Sequence, residues 1–281
     1  MGRIKWTEKK IDEMVKSGCG CGTRSGYSPW LQVTSISSLG RSRRVWSPKT
    51  GRTHHLLSDV EYALFLVFEW SSDVVDIREQ FPLDRDITQD VARIAGFRHP
   101  FYPGTDVPTV MTVDFMVTRL RDGLQVQEAF NAKRSEEAED RNSLVKLEIQ
   151  RRALALLEVP HHLVFHDDIP HQKAQNIQWI RDSLLKEGEV EPQPGYWASM
   201  ATRMAAELAH PMPGKATLAS YCASFDARHG VEPGTGLRTA RILLQERVLY
   251  AELGQPELQS VPISSFKLTA QLGKLRAVGG M

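Results

Sequence analysis

The chain has 281 residues, a formal net charge of +1, 41% hydrophobic and 25% charged residues, a composition typical of ordinary globular proteins and a length sufficient for two domains. It contains no apolar run long enough to cross a bilayer, and its charged first residues precede no apolar segment, so we expect a cytoplasmic protein without a membrane partner. The three cysteines argue against a disulfide framework and suit a reducing compartment.

The first 52 residues form a strongly basic segment. They contain eleven Lys or Arg and three Asp or Glu, a local net charge of +8. Tyr27, Trp30 and Trp46 lie among these charges. Interleaved cations and aromatic rings are typical of a segment that follows a phosphate backbone and stacks on bases. We predict a basic N-terminal arm that contacts phosphates; a merely solvated arm is the alternative.

Ser58 and Glu61 predict the start of a helix that runs to about Trp70, with Leu64 and Phe68 on its buried side. A glutamate three residues after a serine forms a capping box, which satisfies the first backbone donors of a helix. Taken alone, this pattern makes Glu61 a capping residue. The pair of strands further along the chain and a family resemblance reverse this preference and favour metal binding by Glu61.

Two later segments predict a pair of strands. Before them, the sequence predicts an extended segment at 74–77, a helix near 87–95 and a Gly/Pro-rich loop at 96–108. Pro82 argues against a central strand after the extended segment. In 110–117, Asp114 points away from the apolar face. In 123–133, alternation places Asn131 and Lys133 on the polar face. A hairpin of these strands would bring Asp114 beside Asn131 and Lys133.

These residue types suit the hydrolysis of a phosphodiester. Mg²⁺ can activate the attacking water, neutralise the phosphate and stabilise the leaving oxygen. It is a hard ion that needs only one or two carboxylates from the protein. We predict that Glu61 and Asp114 bind it, that the Asn131 amide oxygen and the Ala132 backbone carbonyl complete the protein ligands, and that Mn²⁺ can substitute. Lys133 would stabilise developing negative charge without binding the metal.

The chain then continues as a mixed α/β core. Ser135 can cap a helix reaching about Glu158, and we expect its leucines to face the sheet, among them Leu144 and Leu157. A buried strand follows at 163–165. Glu148, on this helix, is a candidate accessory metal ligand, although a surface charge is favoured. Four histidines lie close in sequence without the spacing of known metal ligands, and surface or packed imidazoles are predicted: His161, His162, His166 and His171.

Four stretches in this order and spacing resemble the TnsA family, the endonuclease subunits of heteromeric cut-and-paste transposases. They are residues 55–61, 77–83, 95–100 and 111–115. The resemblance implies a restriction-endonuclease-like catalytic domain that cuts the 5′ ends of a transposon, while a DDE-type, TnsB-like transposase processes the 3′ ends. On the family pattern Glu61 and Asp114 match the metal-binding acids and Lys133 matches the catalytic lysine.

Asn131 departs from the family pattern, which has Gln or Glu two residues before the lysine. The Asn side chain is one methylene shorter, so its oxygen would reach the metal through a water. This departure keeps a second hypothesis open. The chain would then be an adaptor with weak or no cleavage, bridging transposase, regulator and transposon-end DNA.

We expect the basic arm and catalytic domain to occupy residues 1–168 and a second domain to occupy 169–281. Helices are predicted at 177–185, 196–209, 216–229 and 237–253, and short strands at 258–261 and 263–268. This pattern indicates a mainly helical, winged-helix-like domain with a basic C-terminal tail, suited to reading DNA or to docking protein. The resemblance implies docking to an AAA+, TnsC-like regulator.

Overall fold

A computed structural model describes residues 4–34, 41–138, 140–185, 188–210 and 216–269. The chain divides into two compact units, one up to Ile169 and one from Pro170. The first unit contains helices α1 Glu8–Lys16, α2 Asp59–Trp70, α3 Arg85–Ile94 and α4 Arg141–Leu156. Its strands are β1 Arg43–Ser47, β2 Arg52–Leu56, β3 Val74–Pro82, β4 Thr112–Arg121, β5 Leu124–Lys133 and β6 His161–Phe165.

A four-stranded sheet in the order β3-β4-β5-β6 forms the centre of the first unit. The first three strands are antiparallel, and β6 is parallel to β5. Parallel neighbours need a crossover connection, which here contains α4. The mixed α/β architecture with a central sheet is as predicted for a restriction-endonuclease-like domain. Pro82 ends β3 at the sheet edge, where a missing backbone N–H is tolerated.

Helices cover both faces of the sheet. Phe68 of α2 packs against Phe115 and Phe130, with ring centroids 5.6 and 4.8 Å apart. The next register pair, Met116 and Ala129, points to the opposite face because side chains alternate along strands. Residues of α4 pack with this pair in one buried cluster: Ile149, Ala153 and Leu154.

The basic segment is folded into the first unit, which corrects part of the prediction of a phosphate-binding arm. Tyr27 and Trp30 are buried, so their rings cannot stack on bases. Arg52 is also buried, and its guanidinium binds the Glu79 carboxylate. Trp46 is 54% exposed and is the one aromatic residue of the predicted three that is available at the surface.

Two local features of α4 differ from the prediction. Asp140 caps the helix by accepting a hydrogen bond from the Ser143 N–H at 2.8 Å, whereas Ser135 lies in a separate 3₁₀ turn, Ser135–Ala138. Leu144 and Leu157, which we expected to face the sheet, are 49% and 52% exposed. By contrast, α2 begins and ends where the capping box and apolar spacing predict.

The second unit is mainly helical, as predicted. It contains α5 His171–Arg181, α6 Tyr196–Leu208, α7 Leu218–His229, α8 Thr235–Gln245 and the antiparallel pair β7 Leu249–Tyr250 and β8 Lys267–Leu268. The prediction of one helix over 237–253 is wrong, because the chain turns at Arg247, whose φ is +60°, and enters β7. The predicted strand at 258–261 is a 3₁₀ turn, Leu258–Ser260, and the segment from Ile263 also begins as a 3₁₀ turn.

The basic C-terminal tail lies mostly outside the described residues, and this includes Lys274 and Arg276. Within the described ranges, no helix is both long enough and apolar enough to span a bilayer.

Candidate active site

The β4–β5 hairpin brings Asp114 to Asn131 and Lys133, as predicted. The register pairs Phe115 with Phe130, so Asp114 lies opposite Asn131. The Asp114 Oδ2 atom accepts a hydrogen bond from the Ala132 N–H at 2.8 Å. Asp114, Asn131 and Lys133 line one cavity of about 280 Å³, whereas Glu61 is not part of its lining.

Glu61 fulfils the capping role that the sequence predicts. The Ser58 Oγ atom accepts a hydrogen bond from the Glu61 N–H at 3.1 Å and donates to Glu61 Oε1 at 3.0 Å. Glu61 Oε2 accepts a hydrogen bond from the Leu57 N–H at 3.0 Å. These contacts hold a side chain that is only 6% exposed.

The same carboxylate also interacts electrostatically with Asp114 and Lys133. Burial raises the pKa of Glu61 well above its usual range, and the negative charge of Asp114 raises it further. Hydrogen bonds from Leu57 and Ser58 and the positive charge of Lys133 oppose this shift. Glu61 can therefore both cap α2 and belong to an acidic site, because the cap holds its carboxylate where the charge of Asp114 acts on it.

Gln80 is a site residue that the sequence reasoning missed. It lies opposite Asp114, since its neighbours Glu79 and Phe81 pair with Phe115 and Val113. Its Nε2 donates a long hydrogen bond to Glu61 Oε2 at 3.4 Å, and its Oε1 accepts one from the Thr112 hydroxyl at 3.2 Å.

The backbone of Gln80 has φ +46°, a left-handed conformation that is uncommon for residues other than glycine. The one sequence feature that could have identified Gln80 as a site residue is its position inside 77–83, one of the four stretches that resemble the TnsA family.

Comparisons with known proteins match both units. The family described as TnsA-like endonuclease N terminal matches residues 71–166, and the family described as TnsA endonuclease C terminal matches residues 168–253. The Escherichia coli protein named transposon Tn7 transposition protein TnsA is 35% identical over 240 residues, covering 85% of this chain and 84% of that protein. The chain belongs to the TnsA endonuclease family.

Asn131, the departure from the TnsA pattern, is 3% exposed and has a partner from the neighbouring strand. Its Oδ1 lies 2.7 Å from Nε2 of His161, so the ring nitrogen donates to the amide oxygen. Burial, together with the nearby positive charges of His162 and Arg151, lowers the pKa of His161 to about 4. His161 is therefore a packed imidazole that also holds the Asn131 side chain, a contact that the sequence did not predict.

Glu148, the candidate accessory ligand, does not line the cavity of this TnsA-family site. Both carboxylate oxygens accept hydrogen bonds from Arg151, at 2.7 and 2.8 Å, and Oε1 accepts another from Arg152 at 2.7 Å. These contacts lower the pKa of Glu148 to about 2. These contacts favour the alternative that Glu148 is a surface charge.

The donor set fits a hard cation that keeps most of its waters. No group of three or more His, Cys, Asp or Glu side chains suited to a metal occurs among the described residues. The TnsA-family site instead contains two carboxylates, Glu61 and Asp114, and the buried amide of Asn131 on β5. Mg²⁺ is commonly held by one or two carboxylates plus substrate phosphate.

Proposed function

We propose that this TnsA-family chain cleaves the 5′ ends of a transposon in the cytoplasm by Mg²⁺-dependent phosphodiester hydrolysis. A DDE-type, TnsB-like transposase processes the 3′ ends, so that two different active sites complete excision. The observation that carries the proposal is geometric: the β4–β5 hairpin brings Asp114, Asn131 and Lys133 into one cavity. The charges of Asp114 and Lys133 also act on the buried Glu61 carboxylate. The family membership supports the same conclusion.

The residues of the site have separate roles in this proposal. Glu61, Asp114, the Asn131 amide oxygen and the Ala132 backbone carbonyl would hold Mg²⁺, or Mn²⁺ in its place. When bound, the ion supplies an activated water and neutralises phosphate charge. Lys133 places its ammonium where negative charge develops on the phosphate oxygens.

The electrostatics of the two acids support metal binding. Burial raises the pKa of Glu61 and the negative charge of Asp114 raises it further, so the two carboxylates resist being ionised together. A divalent cation removes this repulsion and favours the ionised form of both.

We further propose that residues 1–168 form the catalytic domain and 169–281 a partner-binding domain that docks an AAA+, TnsC-like regulator. The two arginines of α8 are half-buried, and their contacts support protein docking over base reading. Arg238 already pairs with Glu189 and lies 4.5 Å from the Trp197 ring centroid, and Arg241 lies 5.1 Å from that of Trp179.

A strand-resolved cleavage assay with transposon-end DNA, the partner transposase and Mg²⁺ tests the catalytic proposal. We expect 5′-end nicks from the wild type and none from Asp114→Ala. Lys133→Ala should retain Mn²⁺ binding but cleave roughly 100-fold more slowly, as on loss of one preorganised electrostatic contact. Glu148→Gln removes a carboxylate outside the cavity and should cleave normally. Normal 5′ cleavage by Asp114→Ala would refute the proposal.

The adaptor hypothesis remains a second candidate because the short Asn131 amide is held by His161. It predicts that the wild type assembles with the transposase and transposon ends but produces no 5′ nicks under the same conditions. The Asp114→Ala variant would then be indistinguishable from the wild type.

A further inference from the structure

A second cavity continues from the candidate active site along the surface of the first unit. The cavity that holds Asp114 is also lined by Pro100, Tyr102 and Lys146. The second cavity, of about 410 Å³, is lined by the same three residues and extends to Arg98 and Phe101. The shared lining makes one continuous groove, which we call the flanking groove.

The flanking groove carries two positively charged side chains. Lys146 and Arg98 are both exposed. Neither forms an ion pair with a carboxylate among the residues that the structure describes. Arg98 instead lies against Phe101, with its guanidinium carbon 5.6 Å from the ring centroid. Cations beside an aromatic ring are the features that bind the phosphates and base faces of a nucleic acid strand.

Phe101 provides the apolar part of this surface. Its side chain is 40% exposed, although it belongs to a loop whose backbone is firmly hydrogen-bonded. Thr109 N–H donates to Pro100 O at 2.9 Å, and Tyr102 N–H donates to Val107 O at 3.0 Å. The Tyr102 ring stacks on Trp6 with centroids 4.0 Å apart. A preorganised loop lowers the entropy lost on binding.

We propose that the flanking groove binds the nucleotides next to the scissile phosphate on the cleaved DNA strand. Lys146, which lines both cavities, contacts the phosphate next to the one that is cut. Arg98 contacts a further phosphate, and Phe101 packs against the sugar or base between them. The inference rests on the proposed function, since it takes Asp114 to mark the cutting position.

The test measures DNA binding separately from cleavage. Fluorescence anisotropy with labelled duplex transposon-end DNA is recorded at several salt concentrations, using full-length protein carrying Asp114→Asn. We expect Lys146→Ala and Arg98→Ala each to reduce the slope of log affinity against log salt by about 1, the effect of one lost phosphate contact. Phe101→Ala should weaken binding about 5-fold or more with little change in slope.

Arg121→Ala is the matched control. Arg121 is exposed and pairs with Glu128, but it lies seven residues along β4 from Asp114, about 23 Å away. It should change binding less than either groove variant. Lys146→Glu adds a repulsive charge at an exposed position and should weaken binding more than Lys146→Ala.

The proposal is overturned if Lys146→Ala and Arg98→Ala match Arg121→Ala in affinity and salt slope. It is also overturned if they weaken only the binding of the partner transposase, which would assign the groove to an acidic protein surface. The two proposals can fail separately. If the wild type makes no 5′ nicks but the groove variants still lose DNA binding, the cleavage proposal is refuted and the groove is still a DNA-binding site.

Discussion

The Oδ1 atom of Asn131 lies 2.7 Å from Nε2 of His161 on the adjacent parallel strand. This contact orients the Asn131 side chain, which is buried on the interior strand β5. In the site that we propose, the Asn131 oxygen binds the metal and His161 is its outer-shell partner. Removal of such partners typically reduces metal affinity or activity by about 10- to 100-fold.

His161→Ala should therefore weaken Mn²⁺ binding and slow cleavage, each by at least about 10-fold. Mn²⁺ binding is measured by electron paramagnetic resonance on the full chain. His162→Ala is the matched control, because that imidazole is exposed and stacks on Phe130 at a centroid distance of 4.8 Å. The added Asn131→Gln change should restore part of the affinity to the His161→Ala protein, since its extra methylene extends the amide. Equal Mn²⁺ affinities for the wild type and His161→Ala would contradict this role.

The contribution of the α2 cap to stability can be measured separately from its effect on Mn²⁺ binding. Ser58→Ala removes two hydrogen bonds to Glu61 and should lower the free energy of unfolding by about 1 kcal/mol. It should also weaken Mn²⁺ binding, because Ser58 holds the Glu61 carboxylate in place and lowers its pKa.

Thr7→Ala provides the comparison for the Ser58 variant. Thr7 caps α1 by accepting from the Lys10 N–H at 3.1 Å, so its loss should cost similar stability without changing Mn²⁺ binding. If both variants weaken Mn²⁺ binding equally, the effect is one of general stability.

Glu79 should make the sheet edge sensitive to acid. Burial alone would raise the pKa of Glu79, but hydrogen bonds from Arg52 and His54 outweigh it and lower the pKa from 4.5 to about 2. A carboxylate whose pKa is lower in the folded protein stabilises the fold at any pH above its pKa in the unfolded chain. This stabilisation of about 3 kcal/mol is lost as the pH falls from 4.5 towards 2.

Hydrogen exchange of the β2 and β3 amides measures this effect. In the wild type, protection should decline as the pH falls through that window, after correction for intrinsic exchange. Glu79→Gln should be less protected at pH 7, because Arg52 then stays buried without its carboxylate, and should lose the acid dependence. Acid dependence that persists in Glu79→Gln would show that another group is responsible.

Gly236 fixes the contact between α7 and α8. A Cβ atom added there would lie 2.7 Å from the Cys222 backbone oxygen and 2.9 Å from Asp226 Oδ1, and the backbone oxygen cannot move aside easily. Gly236→Ala should therefore lower the thermal unfolding midpoint of the full chain, at a cost of about 1–3 kcal/mol. Gly254→Ala, whose nearest neighbour would be 3.6 Å away, should be close to neutral. Equal midpoints would show that the helices can separate without cost.

The parts of the fold set by neighbouring residues were predictable from the sequence. The Ser58–Glu61 cap gives the start of α2, and alternation in 110–117 and 123–133 gives the hairpin that joins Asp114 to Asn131. The prediction that the last helix continues beyond Arg247 was wrong, because apolar spacing alone does not show where the backbone turns to positive φ.

Contacts between distant segments were not predictable in the same way. Tyr27 and Trp30 read as exposed stacking residues because their charged neighbours in sequence are not their neighbours in space. The His161 contact depends on the parallel pairing of β5 with β6, which the intervening helix permits but no local pattern specifies. Gln80 joins the site through an unusual backbone conformation that is independent of hydrophobic pattern.

The backbone of Gln80 provides a way to separate strain from function. At φ +46° a residue with a Cβ atom is strained by about 1 kcal/mol, whereas glycine is not. Gln80→Gly and Gln80→Ala both remove the hydrogen bonds to Glu61 and Thr112, so both should weaken Mn²⁺ binding to a similar extent. Gln80→Gly should nevertheless be the more stable of the two in urea denaturation, since only Gln80→Ala retains the strained Cβ. If Gln80→Ala is equally stable, the left-handed conformation carries no strain here; if neither variant changes Mn²⁺ binding, Gln80 does not position Glu61.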